Sequence, residues 1–287
     1  MLALAIPWIL VILTIAAIVC LIKKKWKVAL LSVVLTLVLN WWGECIPQRL
    51  FRIQPSQCSV TISVMCFNIG GSEFYTINDA RQVYLLINKC NPDVVFISEF
   101  ANKHSDFLDS LLKTDYRYTT SPNSMCNHYF YSRYPLFNYR RLVGNLEYLP
   151  GVFVCNIAKG EDTITVFGCH LASNNYTTDR VYFTPDSLKS CRDFIDYYHN
   201  MNNALTLRRM EKNAIIDELN STNYSAILMG DFNDVSGSEI ICSLEKQSLK
   251  DAWWEGGVGY GATFHKPLPY RIDHILVSSH SGLAVKF

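Results

Sequence analysis

From residue 59 onward the sequence predicts a mixed α/β domain, preceded by a pair of apolar helices. Three observations lead there. Short apolar runs of strand type alternate with amphipathic helical stretches. Several of those strand-like runs end abruptly on a polar side chain, as in "ILMGDFND" at 227–234. And residues 1–22 carry no charge at all, with Thr14 the sole polar side chain.

The apolar start comes first in the chain. At 1.5 Å rise per residue, a helix over 1–22 crosses a hydrocarbon core of about 30 Å. A second apolar run, 28–42, is shorter, but Trp26 on one side and Trp41 and Trp42 on the other sit where interfacial aromatics would extend it. A cleaved signal peptide is the competing reading, and it requires basic residues before the apolar run; here "KKKWK" at 23–27 follows it. The expectation is a two-helix membrane hairpin with its basic loop cytoplasmic. In a bacterium with two membranes, this makes a multi-pass inner-membrane protein whose domain faces the periplasm or exterior. Residues 44–58, with Pro47 and Pro55 and no periodicity, read as a linker to a domain at 59–287.

The chain has 26 basic and 25 acidic residues, but five of the basic ones and only one acidic one precede Arg52, so the remainder carries −3. That excludes a domain held on nucleic acid by charge alone. Nine of the ten cysteines follow the first apolar run. Cys45–Cys58 is a possible disulfide. Cys66, Cys155 and Cys169 fall inside strand-like runs and read as buried thiols. No Cys-x-x-Cys pair or zinc-type His/Cys spacing occurs.

Within the domain, "SVTISVMCFN" (59–68) alternates and ends on Asn68. Residues 79–90 form a helix with Val83, Leu86, Ile87 and Cys90 on one face. "DVVFISEF" (93–100) is a buried-type strand ending on Glu99, and "HYFYSRYP" (128–135) is a strand stopped by Pro135. "GVFVCNIAKG" and "DTITVFGCHLAS" pair across a Lys-Gly-Glu turn, with His170 at the far end. A helix over 204–219 precedes "SAILMGDFND", and "RIDHILVS" (271–278) is the last strand.

Four strands therefore end on Asn68, Glu99, His170 and Asp231. One such ending is a turn, since Asp and Asn are ordinary turn residues. Four of them form a site, because a sheet gathers its strand ends along one edge. Oxygen ligands with one or two carboxylates suit Mg²⁺ or Mn²⁺, which retain water and bind substrate phosphate.

The motifs "CFNIG", "ISEF", "YSRYPL", "GCHLAS", "GDFND" and "TF…YRIDHILVS" stand in the order found in the endonuclease/exonuclease/phosphatase superfamily, the DNase I-like proteins. The resemblance spans about residues 59–278 and suggests a membrane-anchored bacterial type. It implies a four-layered α/β/β/α sandwich of two mixed sheets. It further implies Mg²⁺-dependent hydrolysis of a phosphodiester, with nucleic acid the leading substrate and a phospholipid head group the alternative. The membrane would be engaged through the N-terminal helices, and no obligate protein partner is implied.

By the same resemblance Glu99 is the principal metal ligand and Asn68 helps to hold the metal or its water. Asp231 positions or deprotonates the attacking water, and Asn233 holds a phosphate oxygen. His170 binds the phosphate or protonates the leaving oxygen. Arg133 is a candidate phosphate contact, with a structural turn as an equal alternative, and Arg209 reads as a surface residue. Asp273 resembles the carboxylate that orients a second histidine, which belongs to a Ser-Asp-His motif on the family's last strand. No such motif follows Asp273, and His280 is a poor substitute, so the expectation is a domain lacking that strand and weakened as a catalyst. A binding domain without turnover is then a further alternative. His274 is expected to point away from Asp273 along the strand.

Overall fold

Alternation along the strands decides which side chains meet across the middle of the molecule and which meet the helices. The structure, a computed structural model, describes residues 2–43, 46, 62–70, 76–100, 105–120, 127–143, 151–174, 191–265 and 269–278. One sheet joins β1 (Val64–Asn68), β2 (Val94–Ser98), β4 (Tyr129–Ser132) and β3 (Tyr118–Thr119) in that order. The other runs β5 (Leu136–Val143), β6 (Gly151–Lys159), β7 (Asp162–His170), β8 (Ser225–Asp231), β10 (Asp273–Ser278) and β9 (Leu249–Asp251). Both are mixed, since β1–β2 and β7–β8 are parallel while β2–β4 and β8–β10 are antiparallel.

Val94 and Phe96 of β2 face inward with Phe130 of β4, against Phe153 and Cys155 of β6 and Ile227 and Met229 of β8. Their neighbours Val95 and Ile97 face outward onto α3 (Ile77–Cys90) and α4 (Ser105–Asp115). Across the sandwich, Val152, Val154, Phe167 and Leu228 cover α5 (Cys191–Ser221) and α6 (Glu239–Glu245) through Ile215, Ile240 and Leu244. The layers are thus α/β/β/α. Gly168 shows how closely the sheets approach, because a Cβ there would lie 2.2 Å from Phe96 Cε2 and 2.7 Å from Phe130 Cζ.

The helices follow their local signals with two differences. Thr76 and Asp79 form a capping box at the start of α3, and Asn91 closes it in the left-handed region at φ 51°. Its buried face is Ala80, Val83 and Ile87, whereas Leu86 and Cys90 are exposed, so the stripe is centred one position earlier than expected. Helix α5 begins at Cys191, well before the expected residue 204.

The two-span membrane hairpin requires correction. α1 (Leu2–Ile22) contains one stretch, Ala5–Ile22, long and apolar enough to cross a membrane, with mean hydropathy 2.9. α2 (Trp26–Gly43) offers only the shorter apolar stretch Trp26–Trp41. One such helix among the described residues does not make a multi-pass topology, and the inner-membrane placement with a periplasmic domain falls with it. The helices lie along each other and also touch the domain. Ile6 and Leu10 pack with Leu39 against Tyr260, and Trp8 Nε1 donates to the Tyr270 hydroxyl at 3.1 Å. Of the expected linker only Ile46 is described. Cys45, Cys58 and residues 279–287, with His280 and the expectation about a final strand, lie outside the described residues. Cys155 and Cys169 are fully buried free thiols, as the strand-like runs predict.

Gly168→Val forces a branched side chain into the contact between sheets. Overpacking of this kind costs about 1–3 kcal/mol, so the urea midpoint of the full chain is expected to fall accordingly. An unchanged midpoint would mean that Phe96 and Phe130 do not meet this strand.

Candidate functional site

Strand register aligns the polar strand ends into two facing rows. The parallel pairing of β7 with β8 sets His170 opposite Asp231, and the antiparallel pairing of β8 with β10 sets Asp273 opposite Asp231. In the other sheet Asn68 stands opposite Ser98, and Glu99 follows directly. Stacking of the sheets brings the rows together. Asn68 Nδ2 donates to Glu99 Oε1 and to Asp231 Oδ2, each at 3.0 Å, and His170 Nε2 lies 3.3 Å from Glu99 Oε1. Asn233 closes the group from behind: its backbone N–H donates to Asp231 Oδ1 at 2.8 Å. Its side-chain amide donates to the Leu171 carbonyl at 2.7 Å, which engages the group expected to hold a phosphate oxygen.

Two backbone features set these side chains in place. Gly230 has φ +135°, and a Cβ there would lie 2.0 Å from the Cys169 carbonyl oxygen, so only glycine lets β8 deliver Asp231 beside β7. Glu99 sits in the left-handed region at φ 54°, which for a residue of its kind costs on the order of 1–3 kcal/mol. Ladder-type bonds on either side, Ile69 N–H to Ser98 O at 3.1 Å and Phe100 N–H to Asn127 O at 2.9 Å, hold it there. Strain sustained in this way is concentrated where side-chain direction matters more than backbone ease.

The electrostatics are those of acids crowded out of water. Burial, then the Asp273 carboxylate, pushes the Asp231 carboxyl well above its ordinary range, against the opposing pull of His170, Asn233 N–H and Asn68. Asp273 is raised as well, by burial first, with Thr263 working against the shift. Burial alone would lower the His170 pKa, but its bond to Glu99 and the Asp231 charge outweigh that and raise it above 6.5. For Glu99 burial works upward, and the bond to His170 overcomes it, so the carboxyl is held below its ordinary value.

Several residues of the site carried no visible signal in the sequence. His128 Nε2 lies 2.9 Å from His170 Nδ1. Arg208 on α5 donates to the carbonyls of Ala172 and Asn233 at 2.8 and 3.1 Å, bracing the loops that follow β7 and β8. Glu211, one turn on, accepts from Ala172 N–H at 3.0 Å, and burial raises its carboxyl to about 7. Thr263 Oγ1 accepts the Asp273 N–H at 3.1 Å. Arg208 and Glu211 sit one turn apart on a helix whose charged residues otherwise read as a solvated face; only tertiary packing distinguishes them.

Arg133 is elsewhere. Its backbone N–H donates to Asp93 O at the opposite end of β2 from Glu99, and its guanidinium donates to Asn91 Oδ1 at 2.5 Å over the Tyr116 ring. The length of β2, roughly 3.3 Å per residue, separates it from the site. Arg209 is an exposed partner of Glu239 at 2.8 Å. His274 does point the other way, buried between Asp251 Oδ2 and the Asp234 carbonyl, each at 3.0 Å.

The expected Mg²⁺ or Mn²⁺ on Glu99 and Asn68 is also corrected. Among the described residues no group of three or more His, Cys, Asp or Glu side chains is arranged to hold a metal ion. The hydrogen bonds give the physical reason. The amide nitrogen of Asn68 faces both carboxylates, and its oxygen accepts Gly70 N–H at 2.8 Å, while His170 directs Nε2 at the same Glu99 oxygen. Donors converge on the lone pairs that a cation would require.

A profile of the Endonuclease/Exonuclease/phosphatase family matches residues 65–285. No curated protein matches the sequence. Among solved structures, a β-hairpin deletion mutant of beta toxin from Staphylococcus aureus is similar, with 15% identity, TM-score 0.56 and coverage of 78% of this chain and 88% of that one. Sphingomyelinase C from Streptomyces griseocarneus has 16% identity, TM-score 0.53 and coverage of 79% and 86%. D. rerio TDP2, complexed with a single-strand DNA product, has 12% identity, TM-score 0.53 and coverage of 76% and 84%. At such identities these likenesses establish the fold alone.

Asp231, Glu211 and His170 all bind protons more tightly in the folded chain than in the unfolded one. For Asp231 and Glu211 the stabilising contribution is therefore complete below the ordinary carboxylate range and is lost as pH rises to about 7. For His170 it is complete below the ordinary imidazole value and is lost as pH rises through its raised pKa. The urea midpoint is expected to fall between pH 5 and pH 8, by on the order of 1 kcal/mol or more. Glu211→Gln retains an oxygen for Ala172 N–H and removes the charge, so it should flatten that fall and be at least as stable as the parent at pH 8.

Proposed function

Because the chain belongs to the endonuclease/exonuclease/phosphatase family, we propose that the cluster at the sheet ends hydrolyses a phosphoester, with the phosphodiester of a nucleic acid as the leading substrate. The observation that carries this reading is the Asn68 amide joining Glu99 of one sheet to Asp231 of the other, with His170 on the same Glu99 oxygen. It gathers an acid of raised proton affinity and an imidazole of raised pKa at one place. In its ionised form Asp231 takes a proton from a water whose oxygen attacks phosphorus. The bond from phosphorus to the leaving oxygen breaks, and the imidazolium of His170 gives its Nε2 proton to that oxygen. Asn233 and Asn68 hold the Asp231 carboxylate from two sides, and Asp273 beside it keeps it basic.

A phospholipid head group is the second reading. It is favoured by the contact with Tyr270, three residues before Asp273, of α1, the one helix among the described residues long and apolar enough to cross a membrane. The fold shared with sphingomyelinase C is compatible with it. α1 alone supports association with a membrane.

The full chain, purified in detergent, is to be tested on bis-p-nitrophenyl phosphate, single-stranded DNA and sphingomyelin vesicles. Turnover of DNA above sphingomyelin is expected, with His170→Ala lowering kcat/KM by about 10²- to 10⁴-fold. Arg133→Ala, at the far end of β2, should leave turnover unchanged. Binding of these phosphoesters without any hydrolysis would replace the enzyme reading with that of a binding domain.

A further inference from the structure

We propose that His128 is a positioning residue for His170, occupying its Nδ1 so that Nε2 alone exchanges a proton with the site. The inference deepens the reading of His170 as the group that protonates the leaving oxygen, and rests on it for its kinetic consequence only.

The geometry is a chain of three side chains. His170 Nε2 lies 3.3 Å from Glu99 Oε1, and His170 Nδ1 lies 2.9 Å from His128 Nε2. Both imidazoles are buried, each about 7% exposed. His128 is clamped by rings: it stacks on Phe153 with centroids 4.8 Å apart and on Phe96 at 6.1 Å, with interplanar angles of 27° and 16°. Its ring plane is therefore set by the core between the sheets, and it imposes a direction on the ring of His170, 5.1 Å away.

Two imidazole nitrogens at hydrogen-bond distance need one proton between them. The charged groups bearing on the pair are Glu99, Asp231 and Glu211 around His170, and Arg141 near His128. Burial first, then the His170 and Arg141 charges, holds His128 neutral. A neutral His128 with its proton on Nδ1 presents Nε2 as an acceptor for His170 Nδ1–H. The imidazolium of His170 then carries its second proton on Nε2, toward Glu99 and the site. When that proton passes to a leaving oxygen, the neutral ring remains as the Nδ1–H tautomer, which His128 already supports. No ring flip intervenes. A carboxylate at position 128 would orient the ring equally well but would hold the imidazolium's proton more firmly. An uncharged acceptor orients His170 without making it a weaker acid.

The test uses the full chain labelled with ¹⁵N-histidine, in detergent, and reads the protonation of each ring nitrogen from long-range ¹H–¹⁵N spectra. In the parent chain His170 should carry a proton on Nδ1 both as the cation and as the neutral ring, with His128 neutral throughout. In His128→Phe the neutral His170 should shift to the Nε2–H tautomer or to a mixture. On single-stranded DNA, whose leaving alkoxide needs the proton, kcat should fall by about 10- to 100-fold, the scale of a misplaced catalytic group, with KM little changed. His128→Gln, whose side-chain oxygen can accept the same proton, should restore most of both. A parent spectrum with neutral His170 protonated on Nε2 overturns the proposal and requires no variant. So does a folded His128→Phe in which tautomer and kcat are unchanged. Should the chain hydrolyse no phosphoester, the tautomer measurement still decides the role of His128, while the catalytic reading fails separately.

Discussion

The double hydrogen bond of the Asn68 amide nitrogen is the constraint on which the site depends. One N–H reaches a carboxylate of its own sheet and the other reaches a carboxylate of the facing sheet. The amide cannot swivel, because its oxygen is held by Gly70 N–H. Both bonds are satisfied only if the sheets stand at one separation and one lateral offset. Gly168, with no room for a Cβ against Phe96 and Phe130, sets the separation, and Gly230 lets Asp231 lie level with His170. Interior packing and site geometry are here the same measurement, since a core as dense as an organic crystal transmits displacement rather than absorbing it.

Much of this was legible in the sequence, for a specific reason. Strand-end residues are visible wherever an apolar run stops on an Asp, Asn, Glu or His, and Asn68, Glu99, His170 and Asp231 all stand at such stops. What was not legible is what arrives from the side. His128 sits at the start of β4 among aromatic residues, where it resembles one more core ring. Arg208 and Glu211 lie on a charged helix, and nothing in a helical period separates a buried ion from an exposed one.

Two corrections have physical causes of the same kind. The cation expected at Glu99 was inferred from residue types, but types do not reveal which way an amide faces, and Asn68 turns its nitrogen inward. The second membrane span was inferred from tryptophans flanking a short run. Length measured along the helix decides otherwise. In each case composition constrained the chemistry without determining direction or reach.

The contact between Trp8 and Tyr270 has a practical consequence for where this chain can be divided. Tyr270 pairs with Phe264 in a small bridge, the neighbouring Thr263 accepts the N–H groups of Ile272 and Asp273, and Tyr260 lies under Ile6 and Leu10. The helices and the segment leading into β10 are thus parts of one packed surface, although about 200 residues of chain or more lie between them. A fragment trimmed to the α/β/β/α sandwich would uncover Tyr260 and Tyr270, the latter three residues before Asp273. Binding measured on it would describe a surface beside Asp273 different from that of the whole protein.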